Sequence, residues 1–223
     1  MRPTSLDHVA LWVTDPEPLA EFLCEHLGMH VIEKTDQFTL VGVDAKLGKL
    51  TLFAAEGPRE RGALERVVLR VRDLEDAAKG LPASRRDGDL VLVDAPEGLR
   101  LALVERSDGV DYDLDHVVLR VGDPAASAET LAELGFERRD GTLAIAEREV
   151  RLEPGGDVEG DRPLLNHLAM LVDSAQDSRD EAERRGLEIA DWKDAANTLA
   201  VFVWGPDRIK LEYVEHKPGF SLT

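Results

Sequence analysis

The chain has 223 residues, of which 43% are hydrophobic and 32% charged. That is enough apolar material for a real core, so wholesale disorder is excluded, and the length suits one large or two small domains. Acidic residues outnumber basic ones by 45 to 27, a net charge of −18, which disfavours non-specific binding to nucleic-acid phosphates and to anionic membranes.

No apolar segment of the export-signal type follows Met1, and no run approaches the ~20 apolar residues of a membrane helix, so a cytoplasmic location is expected. An alternating run from Leu6 to Asp15 predicts the first strand. A helix over 16–27 follows and ends at Gly28. Cys24 falls on its apolar face and reads as core; as the single cysteine it excludes an intrachain disulfide and a Cys-rich zinc site. Strands are expected at 38–43 and 49–54, then a linker at 55–63. A second alternating run spans Leu64 to Asp73, with a short helix at 74–79 and strands at 90–94 and 99–105. Residues 106–113 read as a hinge. The third run, Leu114 to Asp123, leads to a helix at 125–134 ending at Gly135, and to strands at 142–146 and 149–153. After a linker at 154–163, the fourth run ends at Asp173. Its helix, 175–185, has Asp173 or Ser174 as N-cap and Gly186 as C-cap, and strands follow at 198–204 and 208–215. Glu215, His216 and Lys217 read as a polar surface tail.

The elements repeat. LDHVALWVTDP at 6–16 and LDHVVLRVGDP at 114–124 share eight of eleven residues at an offset of 108. LERVVLRVRD at 64–73 resembles LLNHLAMLVD at 164–173, and APEGLRLALVE at 95–105 resembles GPDRIKLEYVE at 205–215. The chain is thus an α+β protein of four tandem βαβββ modules. Two domains are expected, 5–106 and 113–216, each a pair of adjacent modules.

This pattern resembles the vicinal-oxygen-chelate superfamily of glyoxalase I, bleomycin-resistance proteins, methylmalonyl-CoA epimerase and type I extradiol dioxygenases. The resemblance is carried by LDHV at 6–9 and 114–117, NHLAMLV at 166–172 and GPDRIKLEYVE at 205–215. It implies that two modules curve into an open mixed β-barrel around a metal, with helices outside. Four modules with a metal only in the second pair is the layout of the extradiol dioxygenases, so the first half is expected to be a metal-free scaffold.

Alternation places His116, His167 and Glu212 on inward faces of three strands. Two imidazoles and a carboxylate suit non-haem Fe(II) with open positions, with Mn, Ni or Zn as alternatives. His8 matches His116, but Arg66 and Ala102 stand opposite His167 and Glu212 in the alignment, so His8 reads as a structural relic. VRLE at 150–153 aligns with IKLE at 209–212, which makes Glu153 a fourth ligand or catalytic base, or else a strand-end acid facing water. Phe202 stands where the resemblance implies a tyrosine. Trp192, Lys193 and Asp194 stand where it implies an acid–base histidine, so Lys193 is a candidate proton carrier or a solvated loop residue. Ala200, Phe202 and Trp204 share one strand face, and Trp192 and Tyr213 extend an aromatic cluster suited to a flat ligand. Arg120 and Lys210 are candidates to hold an anionic group. The expected function is a metal-dependent dioxygenase, as a monomer or a homo-oligomer, acting on a small molecule with adjacent oxygens and an aromatic character. The alternatives are a glyoxalase- or epimerase-like lyase or isomerase, and a metal-free binding protein of the drug-sequestering kind.

Overall fold

Short polar residues punctuate the four repeats at one equivalent place. Asp15, Asp73, Asp123 and Ser174 each leave a strand in extended backbone, and each accepts a hydrogen bond from an N–H in the first turn of the next helix. The computed structural model describes residues 1–155 and 162–220, and the linker expected at 154–163 lies partly outside them. The first module holds β1 (Pro3–Val13), α1 (Pro16–His26), β2 (His30–Lys34), β3 (Phe38–Gly42) and β4 (Lys49–Ala54). The second holds β5 (Leu64–Val71), α2 (Leu74–Lys79), β6 (Arg85–Asp87), β7 (Leu90–Asp94) and β8 (Arg100–Glu105). The third holds β9 (Leu114–Val121), α3 (Pro124–Glu133), β10 (Glu137–Arg139), β11 (Thr142–Ile145) and β12 (Arg148–Pro154). The fourth holds β13 (Leu165–Val172), α4 (Ala175–Arg184), β14 (Ile189–Asp194), β15 (Thr198–Trp204) and β16 (Lys210–His216). The βαβββ unit is therefore used four times.

The modules do not pair as neighbours in sequence. One open eight-stranded sheet runs β14-β15-β16-β13-β1-β4-β3-β2, and the other runs β10-β11-β12-β9-β5-β8-β7-β6. The first module thus joins the fourth through antiparallel β1 and β13, and the second joins the third through β5 and β9. This corrects the division into 5–106 and 113–216: each sheet draws on both halves. The repeat relates the first module to the third and the second to the fourth, and either pairing satisfies those equivalences. Only the seams, β1–β13 and β5–β9, distinguish them.

Each seam carries bulges at equivalent positions. The register skips Asp7 on β1, Asn166 on β13, Glu65 on β5 and Asp115 on β9. Each of these four immediately precedes a histidine or, on β5, Arg66; the register also skips Thr4 near the start of β1. A bulge turns the strand locally and re-aims the neighbouring side chain.

Alternation sorts the remaining residues. Val9, Leu11 and Val13 of β1 face Leu19 and Leu23 of α1, and equivalent residues of β5, β9 and β13 join the same core. Full burial of each such side chain contributes about 1.5–3 kcal/mol. Tyr213 faces this core as well, and its hydroxyl donates to the Leu134 carbonyl at 2.6 Å. The inner faces differ between sheets. In the second–third sheet Val68, Leu92, Ala102, Val104 and Val118 pack together. In the first–fourth sheet Ala169, Ala200, Phe202 and Val214 form one wall of a cavity of about 360 Å³.

Candidate metal centre

The seam between β1 and β13 positions two imidazoles on the inner face of the first–fourth sheet. The bulge at Asp7 lets its carboxylate Oδ2 meet His8 Nδ1 at 2.8 Å. The bulge at Asn166 does the same for His167, whose Nδ1 lies 3.0 Å from Asn166 Oδ1. An acceptor on Nδ1 fixes the N–H there and leaves the Nε2 lone pair free. The two Nε2 atoms face each other at 3.1 Å. Glu212 of β16 completes a triangle, with Oε2 2.9 Å from His167 Nε2 and 3.2 Å from His8 Nε2. Among the described residues, these three form the one such group of potential ligand atoms.

Three acceptors converging on one point repel each other unless a cation lies between them. The charge balance of the bare protein reflects this. Burial works against a charged His8, yet the Asp7 carboxylate on its Nδ1 and the nearby charge of Glu212 raise it to about 9. Burial favours a neutral Glu212, but His167 and His8 hold its pKa down at about 2. His167 is lowered, chiefly by burial, with Glu212 opposing. A proton on His8 thus serves as the cation. Even so, Glu212 Oε2 is buried and accepts an aligned hydrogen bond from no described residue. A metal fits better. Bonds of about 2.1 Å at right angles hold neighbouring ligands about 3.0 Å apart, and the observed edges are 2.9, 3.1 and 3.2 Å.

His116 does not belong to this group, which corrects its assignment as a ligand. It lies on β9 in the other sheet, opposite Val68, with Nδ1 2.7 Å from Asp115 Oδ1. Arg106 and Arg70 hold Asp115 in turn. His8, read from sequence as a relic, takes the place assigned to His116, because the first module and not the third faces the fourth. Arg66 and Ala102 do stand at the positions expected of them, but around His116.

Glu153 is also displaced. In the fourth module Glu212 pairs with Ala169, two residues after His167. The matching position in the third module is Arg151, opposite Val118, whereas Glu153 lies opposite Arg120 and bonds Arg66 at 3.2 Å. The VRLE–IKLE match is therefore two residues out of register, and Glu153 is neither a fourth ligand nor a base at the triangle. On β4 the matching position is Thr51, opposite Ala10.

The cavity opens directly onto the triangle. His8, His167 and Glu212 line it, as do Phe38, Phe53, Phe202 and Phe220, four of the six phenylalanines in the chain. Phe202 meets the His167 ring edge-on at 5.2 Å, and Phe53 lies 6.1 Å from it. Ala200 also lines the cavity. Lys193 sits at its rim, largely exposed and 2.9 Å from Asp191. Trp204, Lys210 and Arg120 are not part of the lining: Trp204 is flanked by Arg208 and Lys210, and Arg120 is in the other sheet. Trp192 is covered by Arg179, and Tyr213 faces the helices, so of the expected cluster only Phe202 reaches the cavity, and the rest of the aromatic wall is Phe38, Phe53 and Phe220. Sequence reasoning also missed Lys49, Thr51 and His216 in the lining. The readable signal is LDHV at 6–9, intact in the half that the resemblance implies is a scaffold.

Residues 5–99 match the model of the Glyoxalase/Bleomycin resistance protein/Dioxygenase superfamily. This chain carries the fold of that superfamily. The superfamily includes metal-dependent enzymes acting on small molecules, glyoxalases and dioxygenases among them. A presumed dioxygenase from Bacillus subtilis subsp. subtilis str. 168 superposes with a TM-score of 0.80 at 17% identity, over 98% of this chain and 87% of its own. Glyoxalase I from Zea mays gives 0.73 at 17% identity, over 95% and 92%. The cppA protein from Streptococcus pneumoniae TIGR4 gives 0.64 at 14% identity, over 96% and 98%. No curated protein matches the chain in sequence. Among the described residues no helix is long and apolar enough to cross a membrane.

Proposed function

We propose that this protein is a metal-dependent dioxygenase that chelates an aromatic substrate through two adjacent oxygens. The observation that carries the reading is the His8–His167–Glu212 triangle opening on a phenylalanine-lined cavity. A facial set of two imidazoles and one carboxylate suits Fe(II), which when bound supplies free positions for two neighbouring substrate oxygens and for dioxygen. Phe38, Phe53, Phe202 and Phe220 give a flat ring apolar surface and exclude water from it. Asp7 and Asn166 hold the two imidazoles in the ligating tautomer. Thr51 at the fourth-ligand position leaves the set at three and offers no carboxylate to remove a proton alpha to a carbonyl, which favours the oxygenase over the lyase or isomerase.

The test is metal analysis of protein purified without oxygen, followed by oxygen uptake across a panel of catechols. About one iron per chain and catechol-dependent oxygen consumption are expected. Nickel or zinc with isomerase activity would overturn the reaction class. No metal at all would overturn the enzyme reading in favour of a metal-free binder.

A further inference from the structure

His216 ends β16, four residues beyond Glu212, and lines the same cavity. It is not the surface residue its polar neighbours suggest: its side chain is only 15% exposed. Its Nε2 lies 3.1 Å from Asp7 Oδ1. Asp7, 4% exposed, turns its other oxygen to Lys49 Nζ and His8 Nδ1, each at 2.8 Å. The Phe220 ring stacks on the His216 imidazole at 4.1 Å, with 9° between the planes. The ring is thus held on its edge by a carboxylate and on its face by an aromatic. Among the described residues nothing hydrogen-bonds its Nδ1. The charged groups facing it are Asp7 from β1 and Lys49 from β4, with Glu212 on its own strand. Burial works against a charged Asp7, but His216 and His8 on its oxygens, with Lys49 beside them, keep that carboxylate ionised.

We propose that His216 is the catalytic proton carrier of this cavity and Asp7 its positioning residue. The substrate O–H bond breaks, its electron pair stays on oxygen, and the proton goes to His216 Nδ1. The imidazolium so formed is balanced by Asp7, and its proton is later returned to an oxygen of the product. A fixed Nε2–H tautomer with a free Nδ1 is the arrangement a general base requires. The assignment rests on the reading of the cavity as a chelating site.

The test uses Fe(II)-loaded protein under anaerobic conditions with 4-nitrocatechol, whose visible colour reports its ionisation, at a pH where the free probe is only partly ionised. The parent should bind the probe with its ionisation driven forward. His216→Gln should bind the same amount of iron and the probe in its less ionised form, and Glu153→Gln, in the other sheet, should keep the parental colour. With a turned-over catechol, His216→Gln should lose about 100-fold in kcat with little change in KM. Parental colour and kcat in His216→Gln would overturn the proposal while leaving the chelating site intact. If iron-loaded parent failed to bind the probe at all, the chelating reading would fall, and the role of His216 with it.

Discussion

Lys49 is a buried cation whose removal has a calculable consequence. Its ammonium and the Asp7 carboxylate are each about 4% exposed and 2.8 Å apart. Breaking such a pair from one side leaves an uncompensated charge and costs about 3–5 kcal/mol. Asp7 keeps His8 and His216 as partners, so Lys49→Met should fall near the lower end, at about 3 kcal/mol. For a chain of this length each kcal/mol moves Tm by roughly 2–4 °C, giving a drop of about 6–12 °C. The assay is thermal unfolding of metal-free protein followed by circular dichroism. A Lys49→Met variant that melts within about 2 °C of the parent would refute the claim that this pair is buried and coupled.

Stability should also fall in acid. Burial acts to raise the pKa of Asp115, but hydrogen bonds from His116 and Arg106 bring it to about 2. A depressed carboxylate contributes stability above its unfolded pKa and loses it as pH falls, so about 2 kcal/mol should disappear between about pH 4 and 2. Asp115→Asn should flatten that part of a urea-denaturation series. Tyr213→Phe strands the Leu134 carbonyl and should cost about 1–2 kcal/mol in the same assay, without loss of metal. Glu153→Gln breaks only a partly exposed pair with Arg66, so stability should change by less than about 1 kcal/mol and metal content not at all.

The fold was legible because each module spells out its own boundaries. Asp15, Asp73, Asp123 and Ser174 cap the helices where the alternating runs stop, and those signals are local. Strands β2, β6, β10 and β14 are hard to locate from sequence, because they are edge strands with no fully buried residue and little alternation. The pairing of modules was not legible because a fourfold repeat makes the alternatives equivalent in pattern. The site inherited that ambiguity: His167 and Glu212 lie in one module and were found together, whereas the second imidazole had to be chosen between the identical LDHV segments at 6–9 and 114–117. The choice of His116 assumed that neighbours in sequence share a barrel. Glu153 was misplaced by the two-residue slip between VRLE and IKLE, which preserves the strand face and so leaves alternation undisturbed. His216 was missed because its chain neighbours Glu215 and Lys217 are charged, while its partners, Asp7 and Phe220, come from elsewhere on the chain.

The central claim is that the first and fourth modules, and not the third and fourth, build the metal centre. It is tested by metal stoichiometry and affinity on His8→Ala and His116→Ala beside the parent, each reconstituted with Fe(II) without oxygen. Structural sites of four ligands yield about 10–16 kcal/mol, or roughly 3–4 kcal/mol per ligand. His8→Ala should therefore bind about 100- to 1000-fold more weakly and lose its metal on desalting. His116→Ala should retain about one metal per chain, and its deficit should appear only in stability. Loss of metal from His116→Ala with retention in His8→Ala would contradict the account.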